Sequence, residues 1–249
     1  MRRFDGKVAL ITGASAGIGR ACAERLASEG ASLFLCDVAR EGLEETAQRC
    51  SALGAAVATR TCDVGDEAQV QTTVQACVDR FGKLDALVNV AGVLLLKHLA
   101  DISLAEFERV IRINLTGSFL MCKAAMPHLL LTKGAIVNTS STSALAGMPY
   151  GAAYGTSKGG VLALTRTLAV EFGKKGVRCN AICPGSITTA MSGGGLLPKD
   201  ADWKLVARAI PLDSARGPEV VASVVAMLCS DDGIHINGES IRMDGGTLA

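Results

Sequence analysis

Short apolar runs alternate with longer amphipathic stretches along most of this chain. Residues 7–12, KVALIT, are apolar and break at Gly13; residues 17–30, GIGRACAERLASEG, then hold a 3.6-residue stripe through Ile18, Ala21, Cys22, Arg25 and Leu26 until Gly30 ends it. The same rhythm predicts strands over 31–37, 55–63 and 84–92 and helices over 40–53 and 66–81. A helical pattern covers 104–131, with a bend expected near Asn114 and Gly117. Strand 134–141, helix 152–173 and strand 177–185 follow, then a looser segment at 186–211, helix 218–230 and a last strand at 239–246. Strands and helices alternating in this way predict an α/β fold, a parallel sheet covered on both faces. No Pro- or Ser-rich linker divides the 249 residues, so one domain is expected over 1–249.

Composition narrows the function classes. Twenty-five Lys and Arg balance 24 Asp and Glu, a net charge of +1, which gives no reason to expect nucleic acid or an anionic membrane as partner. No run reaches the ~18 apolar residues of a membrane span. Nine cysteines, odd in number and without zinc spacing, read as buried thiols of a reducing, cytoplasmic compartment, with Cys179 and Cys183 held apart on one strand. His98, His128 and His235 stand alone, so no metal site is expected.

The candidate chemistry lies at the ends of predicted strands. Thr12-Gly13-Ala14-Ser15-Ala16-Gly17-Ile18-Gly19 sits where the first strand turns into the first helix. Gly13 suits the sharp turn, Gly17 a close approach of diphosphate to backbone, and Gly19 tight packing of helix on sheet, with the helix N-terminus facing the anion. The same residues 13–17 match GxSxG, a nucleophile elbow with Ser15 as nucleophile and His235 as its conceivable base. That hydrolase reading is remote, because no earlier strand exists to supply the rest of an oxyanion hole. Asp37 closes the second strand, where an acid can accept both hydroxyls of an adenosine ribose; Ala16 and Val38 offer no cation for a 2′-phosphate, so NAD is expected over NADP. An N-cap role for Asp37 is the structural alternative. Asp63 and Asn89-Val90-Ala91-Gly92 also stand at carboxyl ends of strands, where open parallel sheets bind ligands.

Tyr154 and Lys158 are four residues apart on a predicted helix, which sets phenol and ammonium on one face. In isolation this is an ordinary surface pair. An adjacent cation, however, would lower a phenol pKa from its usual value of about 10 toward neutrality. Ser141 stands 13 residues before Tyr154 at the end of the fifth strand, close enough through the connection to reach the phenol. Tyr150 has no Lys four residues on and is assigned no proton-transfer role.

In order and spacing these motifs resemble the short-chain dehydrogenase/reductase family in its form of about 250 residues, from Gly6 to Gly246. The resemblance implies a doubly wound, Rossmann-type sheet of seven parallel strands with three helices on each face. It places the phosphate loop on Gly13, Ser15, Gly17, Ile18 and Gly19, the ribose acid on Asp37, and the adenine between Asp63 and Val64. Asn89, Ala91 and Gly92 are carried over as cofactor contacts, with Val90 standing where the family usually has Asn. Pro184, Gly185, Ile187 and Thr189 fall on the segment that holds the nicotinamide carboxamide. The catalytic group falls on Asn114, Ser141, Tyr154 and Lys158.

The chemistry so implied is hydride transfer between NAD(H) and an alcohol or ketone. Tyr154 acts as general acid or base, Ser141 donates to the oxyanion, Lys158 lowers the Tyr154 pKa and holds the nicotinamide ribose, and Asn114 bends its helix and fixes a water. An NAD preference favours alcohol oxidation without setting the direction. Substrate identity is assigned to a loop at 186–211, with Ser192-Gly193-Gly194-Gly195 as hinge and Leu196, Leu197 and Trp203 as lid, or else with Trp203 packed on the core. A homo-oligomer, commonly a tetramer, is implied through the helices at 104–131 and 152–173, with 239–246 as a second contact. A catalytically silent NAD-binding regulator or scaffold is the second reading.

Overall fold

The computed structural model describes residues 2–189, 197–212 and 214–249. Seven strands form one sheet in the order β3-β2-β1-β4-β5-β6-β7, parallel throughout. They are β1 (Val8–Thr12), β2 (Ser32–Asp37), β3 (Val57–Thr61), β4 (Ala86–Asn89), β5 (Ala135–Thr139), β6 (Arg178–Pro184) and β7 (Ser240–Met243). Each was expected from its apolar run. β3, β4 and β7 are each shorter than the runs that predicted them.

Period-2 alternation divides the core. Ala9, Ile11, Leu33, Leu35, Val88 and Val137 face α1 (Gly17–Ser28), α2 (Arg40–Ala52) and α8 (Glu219–Cys229). Leu10, Phe34, Leu87 and Ile136 face α3 (Glu67–Phe81), α5 (Gly117–Thr132) and α6 (Ala152–Gly173). The expected long helix is interrupted: α4 (Leu104–Ile111) passes through a π-helical turn, Arg112–Thr116, into α5. That wider turn at Asn114 is the bend expected there, and such turns recur at functional sites. A four-residue helix, α7 (Trp203–Val206), lies in the segment after β6.

The chain runs outward from β1 through β2 to β3, then returns to place β4 on the other side of β1. The carboxyl ends of β1 and β4 therefore border the crevice at which the strand order reverses, the ligand site of open α/β sheets. Eight of the nine cysteines are buried, all nine are free thiols, and Cys179 and Cys183 lie apart on β6.

Candidate active site

At the β1–α1 turn Gly13 takes φ +66°, and a Cβ there would come within 2.7 Å of the Ala91 amide nitrogen; a Cβ on Gly19 would stand 2.0 Å from the Gly13 carbonyl oxygen. Only glycine allows the two strand ends to close and α1 to start beneath them. The Thr12 hydroxyl accepts hydrogen bonds from the main-chain N–H groups of Val90 (3.0 Å) and Ala91 (3.1 Å). Sequence reading assigned Thr12 nothing, although it opens the glycine motif. This bond also accounts for Val90: the turn after β4 is fastened through main chain to Thr12, and the Val90 side chain packs against the α1 side of the core.

Asp37 ends β2 with both carboxylate oxygens engaged. Oδ2 accepts from Ser15 N–H at 3.0 Å and Oδ1 from Ala39 N–H at 2.9 Å. The N-cap of α2 is Ala39, so the capping alternative for Asp37 does not hold. Asp63 accepts from Gly65 N–H at 2.8 Å and pairs with Arg112 at 3.0 Å, which links the end of β3 to the π-helical turn.

A cleft of about 1270 Å³ runs across the carboxyl edge of the sheet. Pockets for a single small ligand usually measure roughly 300–1,000 Å³, so a dinucleotide and a substrate have room together. Gly13, Ser15, Gly17 and Ile18 line one end with Asp37, Asp63 and Val64; Ala91, Gly92, Pro184, Gly185, Ile187 and Thr189 line the middle. Ser141, Tyr154 and Lys158 line the wall beyond, and Val93, Leu94, Leu96, Met148, Trp203 and Val206 make the far end largely apolar, with Lys199 and Arg208 also lining the cleft.

Two of the expected residues do not line the cleft. Asn89 does not line the cleft: its side chain is buried under the sheet, where Nδ2 donates to Asn138 Oδ1 at 2.9 Å. As the last residue of β4 it points toward the helices, because the alternation of the strand decides its side. Gly19 contributes packing and no cleft surface.

Asn114, fully buried in the π-helical turn, accepts from Val93 N–H at 2.7 Å and donates to the Val93 carbonyl (2.9 Å) and the Ser157 hydroxyl (3.0 Å). It locks the loop after β4 onto α6. A Cβ on Gly92 would lie 3.1 Å from Asn114 Oδ1 and 3.4 Å from Lys158 Nζ, so these two polar groups converge behind the cleft wall.

Tyr154 and Lys158 occupy the first turns of α6, with Lys158 Nζ 5.7 Å from the Tyr154 ring centre. The Ser140 hydroxyl donates to the Lys158 carbonyl at 2.9 Å and fixes α6 against the end of β5. Burial raises the Tyr154 pKa, and a hydrogen bond with Ser141 opposes that rise. Lys158 is 3 % exposed, and burial lowers its own pKa to about 8. The net shift is therefore upward and not the fall expected from Lys158: the ammonium is turned to the Thr139 carbonyl, 2.7 Å away, and at the phenol burial outweighs the Ser141 hydrogen bond.

The hydrolase reading fails on position. Ser15 stands at the carboxyl edge of the sheet, whereas Ile236, next to His235, receives its hydrogen bonds from Arg178 and Asn180 at the amino end of β6. The Ser192–Gly195 hinge and Leu196 lie outside the described residues; Trp203 is 70 % exposed and lines the cleft, so it does not pack on the core.

Comparison with known proteins agrees with this arrangement. The family described as enoyl-(acyl carrier protein) reductase matches residues 13–247. Meso-2,3-butanediol dehydrogenase of Serratia marcescens is 40 % identical over 99 % of this chain and 96 % of its own length. The chain belongs to the short-chain dehydrogenase/reductase family. Among solved structures, a short-chain dehydrogenase from Mycobacterium paratuberculosis bound to NAD superposes with a TM-score of 0.92 at 29 % identity, covering 98 % of each chain. An NAD+-bound xylitol dehydrogenase gives 0.88 at 35 % identity, over 98 % of this chain and all of its own.

Proposed function

We infer that this protein is an NAD-dependent oxidoreductase that interconverts an alcohol and its ketone, with Tyr154 as the proton-transfer group. The observation that carries the reading is the meeting of Ser141, Tyr154 and Lys158 on one wall of a cleft whose other end is the Gly13 turn and Asp37. The residues present fit the dinucleotide. Gly17, the first residue of α1, lines the cleft with no Cβ to fill it, and the Asp37 carboxylate is held in place by two main-chain N–H groups, where it would accept from a ribose and repel a phosphate. Ser15, Gly17 and Ile18 would hold the diphosphate, Asp63 and Val64 the adenine, and Pro184, Gly185, Ile187 and Thr189 the nicotinamide.

Bound NAD supplies the hydride acceptor or donor. Tyr154, protonated at neutral pH because of its burial, gives its proton to a ketone oxygen; in the oxidative direction it must first lose that proton, so the rate of oxidation rises with pH. Ser141 donates a hydrogen bond to the same oxygen, and loss of such a donor typically costs about 2.7–4 kcal/mol of transition-state stabilisation. Lys158 holds positive charge behind the phenol and would reach a ribose hydroxyl of the bound cofactor. Asn114 keeps Val93 and α6 in register and would position a water toward Lys158.

The chain forms one domain, with residues 186–211 as its substrate segment. The cleft has room for a secondary alcohol or ketone of modest size beside the dinucleotide, and the butanediol and xylitol dehydrogenases to which the chain is similar are named for such alcohols. Phe119, Val170 and Leu131 are exposed on α5 and α6 and suit a homotetramer interface. Among the described residues no helix is long and apolar enough to cross a membrane, and nine free thiols suit a reducing cytoplasm. A spectrophotometric screen of secondary alcohols with NAD and of ketones with NADH tests the reading; turnover of none of them would leave the scaffold reading in its place.

A further inference from the structure

Tyr150, left without a role by its missing lysine, is one of two non-glycine residues with positive φ among the described residues, at +64°. Such a conformation persists only where the surroundings hold it, and it marks places where a structure stores strain for a purpose. Here the holding contacts come from two distant parts of the chain. The Tyr150 carbonyl accepts from Lys97 N–H at 2.8 Å, and its phenol oxygen accepts from Asp202 N–H at 2.7 Å. The ring of His98 meets the Tyr150 ring edge-on, with centres 5.0 Å apart, and His98 Nε2 lies 2.9 Å from Asp200 Oδ1. Asp202 in turn caps α7, its Oδ1 accepting from Lys204 N–H at 2.8 Å. Helix α7 carries Trp203 and Val206 into the apolar end of the cleft.

His98, in the loop after β4, and Tyr150, in the loop that leads into α6, thus fasten Asp200 and Asp202 at the start of α7. Lys97, beside His98, is itself tied to Glu106 of α4 at 2.9 Å, so the anchor is rigid on that side. We propose that Tyr150 and His98 are positioning residues for the substrate, a clasp that seats the Trp203 segment over the cleft. The proposal rests on the oxidoreductase reading and adds to it the residues that determine substrate affinity. Tyr150 lies four residues before Tyr154, separated only by the start of α6, so the clasp ties the cover of the substrate end to the first turn of the helix that carries the acid.

The test compares Tyr150→Phe, Tyr150→Gly and His98→Phe with the wild type, using the secondary alcohol that gives the highest turnover in the screen. Tyr150→Phe keeps the ring and loses the acceptor; KM should rise roughly threefold to tenfold, the range for one lost hydrogen bond, with kcat and NADH affinity unchanged. His98→Phe should keep the edge-on contact, lose the bond to Asp200 and raise KM by less. Tyr150→Gly relieves the backbone yet removes the clasp and should raise KM the most. Acrylamide quenching of Trp203, the sole tryptophan, should increase in the same order and needs no turnover to be read. Unchanged KM and quenching in Tyr150→Phe would overturn the proposal, and so would a joint loss of kcat, NADH binding and thermal stability, which marks a merely structural residue. Absence of turnover in the wild type would instead count against the oxidoreductase reading, while the quenching series would still decide the clasp.

Discussion

The Lys158 ammonium donates a 2.7 Å hydrogen bond to the carbonyl oxygen of Thr139, the last residue of β5, and both residues are buried. A cation is thereby stored beneath the phenol it serves, at a cost that shows in its own pKa of about 8 against an ordinary 10.5. Between these two values the unfolded chain binds the proton that the folded chain has released. Stability from this group therefore rises with pH across that window, and below it the full cost of burying the ammonium applies. Lys158→Met removes the dependence. Denaturant titrations from pH 8 to 10.5 should show the wild type gaining on the variant as pH rises, and a constant difference would contradict the burial account.

The proposed role of Asp37 in cofactor choice rests on its charge and on the two N–H groups that hold it. Asp37→Ser removes the carboxylate that a 2′-phosphate would face. Because like charges about 4 Å apart interact by an energy on the order of kcal/mol, the ratio of kcat/KM for NADPH to that for NADH should rise by more than about tenfold. A wild type that already prefers NADPH would contradict the reading of Asp37.

Glu29, at the end of α1, is clamped by Arg3 and Arg25, and Arg3 also reaches Asp232 beyond α8. The two guanidinium groups hold its carboxyl at about 2, below the ordinary 4.5. A folded pKa below the unfolded one contributes stability that is complete above 4.5 and is lost as pH falls from 4.5 toward 2. Glu29→Gln should cost about 2 kcal/mol at neutral pH, less than a fully buried pair because Arg25 remains partly in water. It should also flatten the acid limb of the stability curve, as urea titration at several pH values would show.

How far the sequence revealed this site depended on the range of the cause. The Gly13 turn, Asp37 and the Tyr154–Lys158 pair were legible because strand, turn and helix period place them locally. The burial of the Asn89 side chain was not legible because its side depends on strand phase at a terminus, where one residue reverses it. Thr12 escaped notice because its role is a bond to a strand 78 positions away in sequence. The clasp on Tyr150 was invisible for the same reason, and the rise in the Tyr154 pKa follows from burial, which no i,i+4 spacing encodes.

The central claim is that the Tyr154 hydroxyl moves the proton. Tyr154→Phe keeps the ring, the packing of α6 and the cofactor cradle while removing that one oxygen. NADH binding by fluorescence titration and turnover of the best alcohol should be measured on the same preparation. The account predicts unchanged NADH affinity with turnover abolished; turnover equal to the wild type would contradict it.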